Sequence, residues 1–286
     1  MSNTAHVPAL PDVILEPIVR LALLEDLSPA GDLTSDSAID AGAHLAAEFR
    51  AREAGVIAGM DAARLALRLL DADVRLQIER GDGATVAPND CIATITGSAR
   101  SILMAERTML NFMGHLSGIA TLTRRYVEAV SGTRARITCT RKTTPGLRAL
   151  EKRAVRLGGA TNHRYSLADA ILIKDNHIAA AGGVRNALTR AKALGGHMRV
   201  IEIEVDTLEQ LAEALPLAPH CILLDNMSLA ELREAVTLTA GRAVLEASGN
   251  VRLETVGDIA ATGVDVISVG ALTHSARRLD LGLDVT

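Results

Sequence analysis

Residues Val200–Asn250 read VIEIEVDTLEQLAEALPLAPHCILLDNMSLAELREAVTLTAGRAVLEASGN. The stretch opens on an apolar run, Val200–Val205, and turns to helical periodicity over Leu208–Leu215. The same two patterns then repeat: apolar at Cys221–Leu224, helical at Leu229–Leu238, apolar again at Ala243–Leu245. Short runs of aliphatic and β-branched residues suit strands buried on both faces. Two of the helical stretches begin with capping boxes, Thr207-x-x-Gln210 and Ser228-x-x-Glu231, which set each N-cap just after a strand end. Strand alternating with helix predicts parallel βα units.

The pattern extends outward on both sides. Apolar runs recur at Ile137–Thr140, Ala170–Ile173 and Val266–Val269, and helical stretches at Leu147–Leu157, Val184–Leu194 and Leu253–Ala261. Polar residues cluster at the ends of these runs: Arg141 and Lys142, Lys174, Glu204, Asp225, Glu246 and Ser248, then Gly270. Functional groups at the C-terminal ends of many strands mark the active face of a βα barrel. An open sheet would gather them at one switch point, usually with a glycine fingerprint. Neither GxGxxG nor GxxxxGK[ST] occurs in the chain.

The first third differs. Glu48–Gly59 and Thr85–Thr96 read as short strands around a helix at Met60–Leu70, and Ser101–Val130 as a long helical region interrupted near Gly114–Gly118. The expected fold is α/β: an N-terminal α/β sandwich domain over residues 1–115, and an incomplete six-stranded α/β barrel over 116–272. Residues 273–286 are expected to return to the first domain.

Composition narrows the function. Trp is absent, with two Tyr and two Phe, so the stacking platforms of single-strand nucleic-acid binders are missing. Cys91, Cys139 and Cys221 are scattered and odd in number, which fits neither a zinc site nor a disulfide framework and suits a reducing cytoplasm. No apolar stretch is long enough to span a membrane. The start, MSNTAHVPALPDVILEPIVR, lacks the pattern of a signal peptide. The sequon at Asn226-Met227-Ser228 is then a chance match.

Charge is the strongest clue. The chain has net charge -4, yet Arg141–Arg164 carries Arg141, Lys142, Arg148, Lys152, Arg153, Arg156 and Arg164 against the single acid Glu151. A basic focus in an acidic chain suits a strongly anionic small molecule. Arg141, Lys142 and Lys174 directly follow strands and are candidates to bind carboxylate or phosphate, joined by Arg164 with His163 as a further donor. Arg148, Lys152, Arg153 and Arg156 read instead as solvated charges of an amphipathic helix. Glu202 and Glu204 share a strand face, Glu202 the deeper. Glu204 and Asp225, on neighbouring strand ends, suit Mg²⁺, which takes one or two carboxylates plus substrate oxygens; pairing with a lysine is the competing reading. Ser248, Gly249, Asn250 and Gly270 follow the last two strands, where barrels commonly bind phosphate. His6, His44, His115, His197, His220 and His274 show no ligand spacing, and His177 suits a helix start as well as catalysis. Glu25, Asp26 and Asp32 suit a solvated loop and a helix cap.

With those residues in view, the chain closely resembles the quinolinate phosphoribosyltransferase family. The shared segments are EDLSPAGDLTSDSAI, AERTMLNFMGHLSGIATLT, TRKTTPGLR, NHR, LIKDNH, IEVDTLEQ, LLDNMS, LEASGN and GVDVISVGALTHS, in order along nearly the whole chain. The resemblance implies transfer of phosphoribosyl from phosphoribosyl pyrophosphate to quinolinate with loss of CO₂, in NAD biosynthesis in the cytoplasm. By motif, it assigns Arg107, Arg141, His163, Arg164 and Lys174 to quinolinate. It assigns Lys142, Glu204 and Asp225 to catalysis at phosphoribosyl pyrophosphate, with Glu204 and Asp225 on Mg²⁺, and Ser248, Gly249, Asn250 and Gly270 to the phosphate. Arg107 would reach a neighbouring subunit's site, so a homodimer with shared sites, or a hexamer of such dimers, is implied. Two positions depart from the family pattern: Cys139 stands where Asp is usual, and Ala160 replaces the last glycine of a Gly-Gly-Gly run.

Three competing readings remain at this point: a Schiff-base lyase using Lys174 or Lys142, a molybdenum-uptake-associated paralogue of the same fold, and a non-catalytic anion or nucleic-acid binder using the Arg141–Arg164 patch. The intact LIKDNH segment and the Glu204/Asp225 pair speak against the second.

Overall fold

A computed structural model describes residues 7–286; His6 and the first residues of the N-terminal stretch lie outside the described part. The chain begins with α1 (Asp12–Leu27), α2 (Leu33–Ala38), β1 (His44–Ala51), β2 (Gly55–Val56), α3 (Met60–Leu70), β3 (Arg75–Ile78), β4 (Thr85–Val86), β5 (Cys91–Ser98) and α4 (Ala99–Ala129). It continues through β6 (Arg136–Thr138), α5 (Arg148–Leu157), β7 (Ile171–Ile173), α6 (Asp175–Ala181), α7 (Val184–Gly195), β8 (Ile201–Val205), α8 (Leu208–Ala214) and β9 (Cys221–Asp225). It closes with α9 (Leu229–Thr239), β10 (Val244–Ser248), α10 (Val256–Ala260), β11 (Val266–Ser268), α11 (Ala271–His274) and β12 (Leu281–Val285). Backbone contacts divide it into two units. One takes the chain up to Arg124 with Thr143–Gly159 and Leu272–Thr286; the other takes Arg125–Lys142 and Ala160–Ala271.

The first unit holds an antiparallel sheet in the order β12-β1-β5-β3. Alternate β1 residues Ala47, Phe49 and Ala51 are fully buried, the period-two pattern of a strand with one face on a core. The C-terminal segment supplies β12, which pairs antiparallel with β1 from Ala47↔Val285 to Ala51↔Leu281. Asp32 caps α2, its carboxylate accepting the backbone N–H groups of Thr34 and Ser35 at 3.0 Å each.

Two expectations for this unit need correction. The break anticipated near Gly114–Gly118 does not occur: α4 runs unbroken for 31 residues. Its glycines serve close approach instead. The Leu279 N–H donates to the Gly114 carbonyl at 2.9 Å, and a Cβ on Gly118 would sit 2.1 Å from the Arg277 carbonyl. The basic residues of α5 are not uniformly solvated either. Only Arg156 is exposed; Lys152 is 2% exposed, and Arg153 pairs with Asp82 at 2.5 Å and Asp61 at 3.3 Å. Burial keeps the Asp82 carboxyl above its usual range even though the Arg153 guanidinium pulls it down.

The second unit is the incomplete barrel: six parallel strands in the order β6-β11-β10-β9-β8-β7. Interior strand residues Ile137, Ile203, Ile222, Leu224 and Ile267 are buried, as a sheet covered on both faces requires. Ser228 and Glu231 form the expected capping box at α9. At α8 the box is half made: the Thr207 hydroxyl accepts the Gln210 N–H, while the Gln210 side chain accepts from Asp206 N–H instead. Parallel register carries strand ends level with one another, Ser248 beside Asp225 and Glu204 beside Leu223.

Candidate active site

The strand ends of the parallel unit surround a cavity of about 430 Å³. Arg141 and Lys142 reach it from the segment after β6, His163 and Arg164 from the segment before β7, and Lys174 from the end of β7. Glu204 enters from β8, Asp225 from β9, Glu246 and Ser248 from β10, and Ser268 from β11. The structure thus brings Arg141, Lys142, His163, Arg164, Lys174, Glu204, Asp225 and Ser248 together around one cavity.

The cations are held in an unusual state. Nε of Arg141 and Nε of Arg164 are both buried and make no hydrogen bond. Arg164 donates from a terminal nitrogen to the Ala170 carbonyl at 3.0 Å, which fixes the side chain in place. Burial, then the Arg141 charge, lowers the Arg164 guanidinium from its ordinary range. Two like charges with unfilled buried donors make a place that an anion stabilises.

The acids are arranged by depth, as the alternation along β8 anticipates. Glu202 is 6% exposed, whereas Glu204 is half-buried and accepts an ion pair from Lys174 Nζ at 2.6 Å. That pairing is the competing reading made earlier for Glu204. Asp225 accepts the Asn226 side-chain N–H at 2.6 Å. Lys174 also precedes α6, where its backbone N–H donates to His177 Nδ1 at 3.0 Å. His177 thus serves a helix start.

The phosphate candidates are organised by a residue that sequence inspection passed over, Asn226. Gly249 has φ +95°, and a Cβ there would fall 2.2 Å from Asn226 Oδ1. Asn250 donates to that same oxygen at 3.1 Å, and the Asn226 N–H donates to the Ser248 carbonyl at 3.0 Å. Asn226 thereby ties the β9 end to the β10 end, and only glycine fits against it at position 249. Gly270 lies two residues past the end of β11. Arg107 lies in the other unit, on α4, in a cavity it shares with Arg52, Arg277 and Arg278.

Glu246 was noticed in sequence only as a residue after a strand. It stands within β10, 6% exposed. At the cavity wall it groups with His163 and Glu202, whose ligand-type atoms lie within 4.8 Å of one another. His163 Nε2 is 3.0 Å from Glu202 Oε2 and 3.8 Å from Glu246 Oε1. Its Nδ1 accepts the Arg164 backbone N–H at 2.8 Å, so the hydrogen bonds assign the ring proton to Nε2. Burial first, then the Glu202 charge, push the Glu246 carboxyl up to about 7, against the pull of the His163 ring and the Ser268 hydroxyl. The departure at Cys139 is accommodated, its buried thiol donating to Asn162 Oδ1 at 3.3 Å.

Comparison with known proteins agrees with this architecture. The family model "Quinolinate phosphoribosyl transferase, N-terminal domain" matches residues 32–117, and the C-terminal domain of the same family matches 119–284. A carboxylating nicotinate-nucleotide pyrophosphorylase of Mycobacterium leprae is 47% identical over 272 residues, covering 93% of this chain and 95% of that protein. A chloroplastic one of Arabidopsis thaliana is 40% identical, covering 97% and 84%. The structure of the nicotinate-nucleotide pyrophosphorylase from Francisella tularensis superposes with a TM-score of 0.94 at 40% identity, over 99% of this chain and all of that one.

Proposed function

The chain belongs to the quinolinate phosphoribosyltransferase family, which acts in NAD biosynthesis, and on that premise we propose that its strand-end cavity binds quinolinate beside phosphoribosyl pyrophosphate. The observation that carries this assignment is the pair of buried, unpartnered guanidinium nitrogens on Arg141 and Arg164. Quinolinate presents two adjacent carboxylates, and two forks of N–H donors are the complement it needs. Lys174 and His163 border the same space. Membership of the family removes the Schiff-base and non-catalytic alternatives.

The ring nitrogen attacks the anomeric carbon as pyrophosphate leaves. Lys142, exposed at the rim, is placed to neutralise the leaving group. Glu204 and Asp225 sit one pleat apart on neighbouring strands, line the same cavity and offer only oxygen, the donor set Mg²⁺ accepts. They would hold the ion, which supplies charge neutralisation to pyrophosphate oxygens when bound. Releasing Glu204 from Lys174 would free that lysine for a substrate carboxylate, coupling occupancy of the two subsites. The Ser248–Asn250 segment, stiffened by Asn226, and Gly270 are the candidates for the ribose 5-phosphate. The nascent pyridinium then draws electrons from the departing carboxylate, so no separate decarboxylating cofactor is needed.

Among the described residues no helix is long and apolar enough to cross a membrane, which is compatible with the proposed cytoplasmic setting. Arg107 lies among other arginines in its own unit, and we assign it to a partner's site in a homodimer or in a hexamer of dimers. Titration of quinolinate into the parent protein and into Arg141→Ala tests the pocket. Tight binding by the parent and none measurable by the variant is expected; equal affinity would overturn the assignment.

A further inference from the structure

Departure of CO₂ leaves an electron pair on ring carbon 2, and the product carries hydrogen at that carbon. We propose that Glu246 supplies this proton. The proposal rests on the quinolinate assignment above.

Glu246 is placed in the middle of β10 and lines the cavity, and its Oε1 is buried without a hydrogen-bond partner. Facing it are Glu202 from β8, His163 from the segment before β7, Ser268 from β11 and Cys221 from β9, with Arg141, Arg164 and Lys174 around the cavity above. Because His163 Nδ1 accepts the Arg164 N–H, Nε2 is the ring nitrogen that donates, and at 3.0 Å Glu202 is its acceptor. One ring proton satisfies one carboxylate. The other, Glu246, stands 3.8 Å from the same nitrogen, buried beside a like charge with a dicarboxylate substrate about to enter. A buried carboxyl in that position is stabilised by taking up a proton. The upward displacement to about 7 agrees with that geometry. The acid is therefore loaded near neutral pH, as a general acid should be.

The step balances without any further reagent. The bond from carbon 2 to the carboxylate breaks, CO₂ leaves, and the electron pair stays on carbon 2. The Glu246 carboxyl proton moves to that carbon, and one proton from solvent restores the acid.

Carbon 2 of the substrate bears no hydrogen, so any hydrogen found there in the product reports the donor. The test runs the enzyme and its Glu246→Gln variant in mixed H₂O and D₂O and measures the isotope ratio at that carbon. A shift of the ratio in the variant is expected, with kcat lower by about 10²-fold and KM for quinolinate within about threefold, as suits loss of a group that acts only after binding. In the parent, kcat/KM for quinolinate should fall as pH rises through about 7, because the acid of the free enzyme is then lost. An unchanged isotope ratio overturns the proposal. So does a parent kcat/KM that is flat between about pH 6 and 9, a result that needs no folded variant. If the parent fails to bind quinolinate in calorimetry, it is the underlying pocket assignment that fails.

Discussion

Arg141 and Arg164 each carry a buried nitrogen that nothing among the described residues satisfies, and leaving such a donor unfilled costs about 1–3 kcal/mol. A carboxylate filling both forks recovers that penalty and offsets the burial, and then the Arg141 repulsion, that lower Arg164. Removing Arg141 should therefore cost about 2–5 kcal/mol of quinolinate binding, at least a thirtyfold loss. Arg141→Lys restores the charge without the planar fork and should recover only part of the affinity in the same titration. At this scale the sequence was legible where a charged residue directly follows an apolar run, as for Arg141, Lys142 and Lys174. It was not legible for Glu246, whose role depends on Glu202 and His163 meeting it from other segments. Nor was it for Asn226, whose backbone at φ +54° and contact with Gly249 are tertiary facts. Arg153 was misread because an amphipathic helix places some charges toward its own core side, where Asp61 and Asp82 are waiting.

Among the elements, most of the parallel strands and the helices between them were readable to within a residue or two, since both periodicities are strong when a sheet is buried on each face. β10 runs three residues past the expected end, α10 starts three residues late, and the short α6 went unread. The short strands of the first unit were harder. One expected strand over Glu48–Gly59 is two, β1 and β2, and β3 and β12, alternating but only four and five residues long, were too short to stand out. The helix α4 gives the clearest lesson. Gly114 and Gly118 looked like breaks, but a glycine in a helix also marks where another backbone passes close. Gly118→Ala should gain a little helix propensity and lose far more to the clash with the Arg277 carbonyl. The expected net is a destabilisation of about 1–3 kcal/mol in chemical denaturation. A variant as stable as the parent would show that the C-terminal segment does not hold α4 at that point.

At the scale of the whole molecule, the proposed assembly makes a sharp demand on Arg107, which sits with Arg52, Arg277 and Arg278 rather than at the strand ends of the parallel unit. Arg107→Ala should be folded but nearly inactive, and Lys142→Ala likewise. Mixed and allowed to exchange subunits, the two should regain activity, because a heterodimer with shared sites contains one intact site. No recovery in demonstrated heterodimers would remove Arg107 from a partner's site. Oligomeric assembly left no pattern in composition or periodicity and entered only through resemblance. The central claim is chemical, and it is tested most directly by product. Purified protein with Mg²⁺, phosphoribosyl pyrophosphate and carboxyl-labelled quinolinate should release labelled CO₂ in step with nicotinate mononucleotide, and nicotinate offered in its place should yield none. Turnover of nicotinate at the same rate, or no labelled CO₂ from folded protein, would contradict the account.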